Sequence, residues 1–232
     1  MHNEDVKNRI KNGLIVSCQA LKHEPMYTEK GGVMPLFAEA ARRAGACGLR
    51  ANTVRDILEI KEKVDLPIIG IIKKDYPDCK VYITPTMEEV DALVDTGVEI
   101  IAIDATSALR PDGSNIEEFF KKVREKYPDQ LFMADCATLE ESLHAADLGF
   151  DFIGTTLSGY TEDSKDAPRP NFDLVKNIVK NTDVPVIAEG LIIEPEQGRK
   201  MLECGAYSFV VGGAITRPQQ IAERFVEAIK NF

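Results

Sequence analysis

The sequence predicts an α/β chain folded as a single (β/α)8, or TIM, barrel with a short N-terminal helix, and three observations carry that prediction. Eight short apolar runs rich in β-branched residues alternate with amphipathic stretches along nearly the whole chain. Gly45, Gly97, Gly149 and Gly205, standing before strands two, four, six and eight, recur at intervals of 52, 52 and 56 residues. An Asp-x-Pro signature precedes strands three and seven, as Asp65-Leu-Pro67 and Asp183-Val-Pro185. The repeating unit is therefore strand-helix-strand-helix, four times over. An open doubly wound sheet is the alternative, but no G-x-G-x-x-G follows the first strand. No Pro/Ser-rich linker or low-complexity segment divides residues 1–232, which read as one domain.

Residues 1–12 read as a short polar helix with Val6 and Ile10 on one side, a cap over the lower end of the barrel. The strands follow at Leu14–Cys18, Cys47–Leu49, Pro67–Ile72, Ile100–Ile103, Leu131–Ala134, Phe152–Ile153, Val186–Ala188 and Phe209–Val211. Each run is too short for a helix and suits a strand buried on both faces. Thr86-Met-Glu-Glu89 and Thr138-Leu-Glu-Glu141 fit a capping box, and Asn115-Ile-Glu-Glu118 is a related start with Asn as cap. The four periodic glycines supply the left-handed stop that a helix needs before it turns back into a strand. Strand five has the looser Tyr127-Pro128 at its approach. The longest strand-to-helix connections follow strands one, three, four and six, on the face where this fold carries function.

Composition narrows the partners. The chain of 232 residues is 44% hydrophobic, lacks Trp and is 7% aromatic, so Ile, Val, Leu and Ala must build its core. A net charge of −10 disfavours a nucleic-acid coat or an anionic membrane surface, without excluding a small anionic ligand held by local groups. The start, Met1-His2-Asn3-Glu4-Asp5, is polar and acidic, unlike a signal peptide, and no apolar run approaches membrane-spanning length. Five scattered cysteines with no C-x-x-C predict a reducing cytoplasm rather than a disulfide or zinc framework.

In a parallel barrel the active site forms where strands run out at their C-terminal ends. The first strongly polar residue after each apolar run is Gln19, Arg50, Lys73, Asp104, Asp135, Thr155 and Glu189 for strands one to seven, and strand eight ends in Gly212-Gly213. Lys73 shares its side of strand three with Ile69 and Ile71. It reads either as a buried lysine whose pKa falls into the range of a usable base, or as a lysine snorkelling at the rim. Glu189 stands opposite in an eight-stranded circle, either as a partner in proton transfer at one carbon or as an ion-pair partner; the two readings are compatible. Phe209-Val-Val-Gly-Gly-Ala-Ile-Thr-Arg-Pro218 carries an anion signal: paired glycines, a helix start and Arg217.

Metal and nucleophile chemistries find little support. Of three histidines none stands at a strand end; His23 lies in the first loop within reach of a ligand, and His144 falls in a helix. No H-E-x-x-H, G-x-S-x-G or P-loop occurs, and Cys18 and Cys136 read as ordinary buried thiols.

Several strings resemble those of N-acetylmannosamine-6-phosphate 2-epimerases over essentially the whole chain from Gly13. They are Gly13–Leu21, Gly70–Lys73, Val81–Thr86, Asp104–Thr106, Ala134-Asp135, Thr155–Thr161, Glu189-Gly190 and Val211–Gln220. The resemblance implies a (β/α)8 barrel that interconverts N-acetylmannosamine 6-phosphate and N-acetylglucosamine 6-phosphate in bacterial sialic-acid breakdown, commonly as a homodimer. It places the catalytic lysine on Lys73 and the catalytic glutamate on Glu189. The sugar-holding residues fall on Gln19, Arg50, Asp135 and Thr155, and the phosphate site on Gly190, Gly212, Gly213 and Arg217. Ala108 and Leu191 stand where that family often has arginine. No metal, nicotinamide or pyridoxal cofactor is required, because a proton α to a carbonyl is acidic enough for acid–base catalysis. The sequence leaves open whether Lys73 alone moves the proton or Glu189 is a second base. Two other classes remain beside the epimerase: a Schiff-base aldolase of phosphorylated sugars, and a barrel that binds a phosphosugar without turning it over.

Overall fold

The structure is a computed structural model that describes residues 2–230. Its order is α1 (Asn3–Ile10), β1 (Leu14–Cys18), α2 (Met34–Arg43), β2 (Gly48–Asn52), α3 (Val54–Lys63), β3 (Ile68–Ile71), α4 (Met87–Asp95), β4 (Ile100–Asp104) and α5 (Ile116–Lys126). It continues with β5 (Leu131–Asp135), α6 (Leu139–Asp147), β6 (Phe152–Gly154), α7 (Phe172–Asn181), β7 (Val186–Ala188), α8 (Pro195–Glu203), β8 (Ser208–Val211) and α9 (Pro218–Ile229). The strands pair in sequence order, all parallel, and β1 closes on β8 through Leu14 with Phe209, Ile15 with Val210 and Val16 with Val211. This is the expected (β/α)8 barrel.

Side-chain alternation along the strands creates two cores. Outward residues such as Val16, Leu49, Ile101, Phe132 and Ile153 pack against the helices. Inward residues, among them Ile15, Ile69, Ile71, Ile100, Leu131, Met133, Phe152, Ile187 and Val210, fill the lumen. Val6 and Ile10 of α1 join the lumen cluster, so the N-terminal helix seals the lower end of the barrel.

Local rules set the helix ends. Thr86 with Glu89, Asn115 with Glu118 and Thr138 with Glu141 all form capping boxes. Gly45, Gly97, Gly149 and Gly205 have φ of 91°, 66°, 87° and 96°, the left-handed region that stops each helix. Three strands run past their apolar runs into polar residues: β2 continues through Arg50 to Asn52, β4 ends on Asp104 and β5 on Asp135. Inside a barrel a polar residue can remain in a strand if the lumen supplies its partners, and Arg50 is 0% exposed.

Beyond β3 the chain returns on itself. Lys73 bridges Ile83 in antiparallel fashion, Lys74 N–H donates to Tyr82 O (3.0 Å) and Thr84 N–H to Ile72 O (2.8 Å). Arg110, itself buried, clamps this return by donating to Pro85 O (2.9 Å) and Asp104 O (2.5 Å) while stacking 3.8 Å from the Phe119 ring. The segment beside Lys73 is therefore held like a short strand although it lies in a connection.

Truncating the lower plug separates stability from the opposite face. Ile10→Ala is expected to lower unfolding free energy by about 2–4 kcal/mol, since it leaves a cavity under the lumen cluster. Urea denaturation measures this, and the affinity of the upper face for inorganic phosphate should not change.

Candidate active site

A cavity of about 530 Å³ opens at the C-terminal ends of the strands. Gln19, Arg50, Lys73, Glu189, Gly190, Gly212, Gly213 and Arg217 line it together.

Its floor is an ion cluster. Arg50 donates to both oxygens of Asp135, at 3.1 and 2.5 Å, and lies 3.2 Å from Glu189 Oε2. Thr156 Oγ1 lies 2.6 Å from Asp135 Oδ1 and 3.1 Å from Glu189 Oε2, so one hydroxyl bridges the two carboxylates. The guanidinium stays charged at any working pH, so without these carboxylates it would be an uncompensated buried charge. Gly154 makes room for the cluster: a Cβ there would fall 2.2 Å from Met133 Cε and 3.1 Å from Asp135 Oδ1.

Lys73 sits beside this floor. Its backbone N–H donates to Asn52 Oδ1 (2.9 Å), and its ammonium forms no ion pair among the described residues. Burial, and then the positive Arg50, push its pKa down to about 8, against the opposing pull of Glu189. Burial raises the Glu189 carboxyl, and Asp135 adds to the rise, with Arg50 and Lys73 opposing it. An amine drawn toward neutrality and a carboxyl drawn toward protonation thus share one cavity, the pattern expected of an acid–base pair.

The opposite wall suits an anion. The N–H groups of Gly190, Gly213 and Ala214 have no acceptor among the described residues, and α9 begins just beyond at Pro218. Gly190 needs its glycine because φ is 125°. At Gly213 a Cβ would lie 2.1 Å from Gln220 Oε1, so any side chain there would have to displace the end of Gln220. Arg217 contacts the Glu24 carboxylate at this wall. Burial works to raise the Glu24 pKa, but the Leu21 N–H and Arg217 outweigh it and hold the group low. An incoming anion therefore competes with Glu24 for Arg217.

Two expected residues take other places. Asp135 lies under the floor, fully buried against Arg50, and does not line the cavity. Thr155 does not line it either; its hydroxyl accepts from Glu189 N–H (3.0 Å) and donates to Glu189 O (2.8 Å), fastening the backbone of the glutamate. The neighbouring Thr156 faces the mouth, two residues beyond Gly154 on the inward side of β6. Arg50, expected at the end of a strand, stands in the middle of β2. His23 lines a side cavity of about 240 Å³ beyond the Glu24–Arg217 pair, and His144 is exposed on α6.

Tyr82, Tyr160, Arg169 and Arg224 also line the mouth, though none of them was among the site residues expected from the sequence. Arg224 had a signal, since residues 217, 220 and 224 fall on one helical face. Tyr82, Tyr160 and Arg169 come from long connections without periodicity.

The NanE family model, described as "Putative N-acetylmannosamine-6-phosphate epimerase", matches residues 34–231. The chain belongs to the NanE family. A relative from Caldanaerobacter subterraneus subsp. tengcongensis, named "Putative N-acetylmannosamine-6-phosphate 2-epimerase", is 50% identical over 97% of this chain and 94% of its own length. A relative of the same name from Listeria welshimeri is 50% identical over 98% and 97%. Among solved structures, the N-acetylmannosamine-6-phosphate 2-epimerase of Clostridium perfringens superposes with a TM-score of 0.90 at 50% identity, covering 96% of both chains. A thiamine phosphate pyrophosphorylase from Pyrococcus furiosus, 17% identical with a TM-score of 0.59, shares the fold alone. Membership of the NanE family agrees with the resemblance carried by the sequence strings.

The lowered pKa of Lys73 has a direct readout. The unprotonated amine is the reactive form, so the rate of Lys73 acylation, followed by peptide mass spectrometry, should rise with pH through a midpoint of about 8. An ordinary lysine titrates near pH 10.5. Because the folded value lies below the unfolded one, the ammonium opposes folding at pH below about 8, and that penalty fades as pH climbs through the ordinary lysine range.

Proposed function

We propose that this chain interconverts N-acetylmannosamine 6-phosphate and N-acetylglucosamine 6-phosphate by removing and returning the proton at C2, in amino-sugar and sialic-acid breakdown. The observation that carries the reading is the Lys73 amine, tuned to about 8, sharing a cavity with Glu189 opposite an anion-binding wall. The names of the relatives and the family model point to the same reaction.

The phosphate anchors one end of the sugar on the Gly190, Gly213 and Ala214 N–H groups and on Arg217, which exchanges Glu24 for the ligand. Glu189 takes the proton of the anomeric hydroxyl as the C1–O5 bond breaks, and the ring oxygen leaves with a proton from solvent as the C5 hydroxyl, exposing the C1 carbonyl. Lys73, as neutral amine, then removes the C2 proton; the C–H electron pair becomes the C1–C2 double bond and negative charge passes to the C1 oxygen. The Lys73 ammonium returns a proton to the other face of C2 after the planar intermediate turns. Glu189 is kept to oxygen chemistry because its Oε2 is already engaged by Arg50 and Thr156. Gln19 contributes a buried Oε1 with no partner among the described residues, an acceptor for a hydroxyl or amide N–H of the sugar, while its Nε2 donates to Ser17 Oγ (2.7 Å).

We read the chain as cytoplasmic, a reading that its five free cysteines support. Among the described residues no helix is long and apolar enough to cross a membrane. We read residues 1–232 as one domain, with residues 1–12 as its cap. The chain works as a homodimer: α9 buries none of its residues and leaves Phe225 (72%), Val226 (54%) and Ile229 (65%) exposed along it, an apolar surface that a second copy covers. Sedimentation velocity at micromolar concentration should give a dimer, and Phe225→Glu should dissociate it; a wild-type monomer refutes the assembly.

Lys73→Ala should abolish exchange of the C2 hydrogen with deuterated water, read by proton NMR of N-acetylmannosamine 6-phosphate. Full exchange in that variant sinks the role of Lys73. Borohydride with substrate should trap no lysine adduct, whereas a trapped adduct assigns the site to Schiff-base chemistry instead.

A further inference from the structure

Removing the C2 proton leaves negative charge on the C1 oxygen, and the epimerase reading so far supplies only Glu189 near it. Charge developing in a transition state is stabilised best by donors already fixed in place. The Arg50 guanidinium cannot fill that need freely, since both its Nη atoms already serve carboxylates. We infer that the Tyr82 hydroxyl is a second donor to the C1 oxygen of the substrate, a catalytic residue of the same reaction.

Five observations support this role. Tyr82 lines the cavity with Lys73, Arg50 and Glu189. Its backbone belongs to the return segment bonded to Lys74 and bridged to Lys73, so it cannot drift from the base; Lys73 Nζ lies 5.8 Å from the centre of its ring. Its ring packs against the lumen cluster, which fixes the side chain from below. Its hydroxyl has no partner among the described residues, whereas Tyr76, Tyr127 and Tyr207 each donate to one. Burial, and then Asp135 and Asp104, push its pKa up to about 12, with Arg50 opposing, so the group remains an O–H donor wherever Lys73 is a base.

C1 is bonded to C2, so a substrate that presents C2 to Lys73 carries its C1 oxygen into the surroundings of Tyr82. The proton stays on the phenol throughout: Tyr82 lends a hydrogen bond, Lys73 carries the transferred proton, and the electron pair resides on the enolate until it is quenched at C2. The hydrogen bond strengthens as charge grows on oxygen, so its effect belongs in kcat rather than KM.

This inference rests on the epimerase reading, and kinetics of Tyr82→Phe against N-acetylmannosamine 6-phosphate test it separately. The substitution keeps the ring in the lumen cluster and removes one oxygen. We expect kcat to fall by roughly 100-fold, the usual effect of losing one oxyanion donor. KM should stay within about threefold, and the primary isotope effect with C2-deuterated substrate should grow as proton removal becomes more limiting. An unchanged kcat, or a raised KM with kcat intact, overturns the role of Tyr82 while leaving the epimerase reading in place. Failure of the wild-type enzyme to interconvert the two sugars overturns that reading, and the inference falls with it.

Discussion

The guanidinium of Arg50 has no exposed surface, and much of the mouth is arranged around the need to compensate it. A buried positive charge is tolerable only with counter-charges at bonding distance, and Asp135 and Glu189 provide them. That requirement places a carboxylate from β5 and another from the end of β7 in one cluster, with the Thr156 hydroxyl tying them together. The same charge acts on Lys73. Arg50 adds to burial in lowering the Lys73 pKa, so the residue that holds Glu189 also keeps the lysine near neutrality. One interaction therefore helps set both the position of Glu189 and the protonation of Lys73.

Its influence extends through packing. The cluster needs space in the upper lumen, which Gly154 leaves open, and it needs the backbone of Glu189 held still, which the two Thr155 hydrogen bonds do. On the side of Lys73, Asn52 and the return segment from Val81 to Thr84 hold the strand end, and Arg110 clamps that segment from behind. Residues that never touch a ligand thus carry much of the geometry. A shift of one of them moves Lys73 or Glu189, because the interior has no slack to absorb it.

The net charge of −10 and the anionic ligand are compatible because electrostatics is local at this scale. Screening in salt weakens exposed charges beyond about 8–10 Å, while charges inside a cleft act almost unscreened. Arg50, Lys73, Arg169, Arg217 and Arg224 line the cavity against Glu24 and Glu189, so its sign is opposite to that of the chain as a whole. Leu191, one of the two positions at which the chain departs from the strings it resembles, holds a positive φ of 51° beside Gly190 at the same wall. Arg169 lies 4.6 Å from the Tyr160 ring and has no carboxylate partner among the described residues, which leaves its charge available to the mouth.

Everything governed by near neighbours along the chain could be read from the sequence alone. Eight apolar runs became eight strands, three capping boxes started helices, four glycines stopped them, and α1 plugged the lumen through Val6 and Ile10. Lys73 and Glu189 were legible as mouth residues because strand alternation is a local rule. Reading the first polar residue after each run worked less well where that residue ignored the alternation: it chose Thr155, whose hydroxyl serves backbone, over Thr156, which faces the cavity. It also set Arg50 and Asp135 at the rim, although both lie buried below it. Only the tertiary structure decided that they pair with each other, that Glu24 holds Arg217, and that Tyr82 returns beside Lys73. The physical reason is that these contacts join residues 50 and 135, 24 and 217, or the two arms of a connection without periodicity. Their partners are chosen by barrel closure and by the cost of leaving a buried charge alone, and neither is written in any local stretch of sequence.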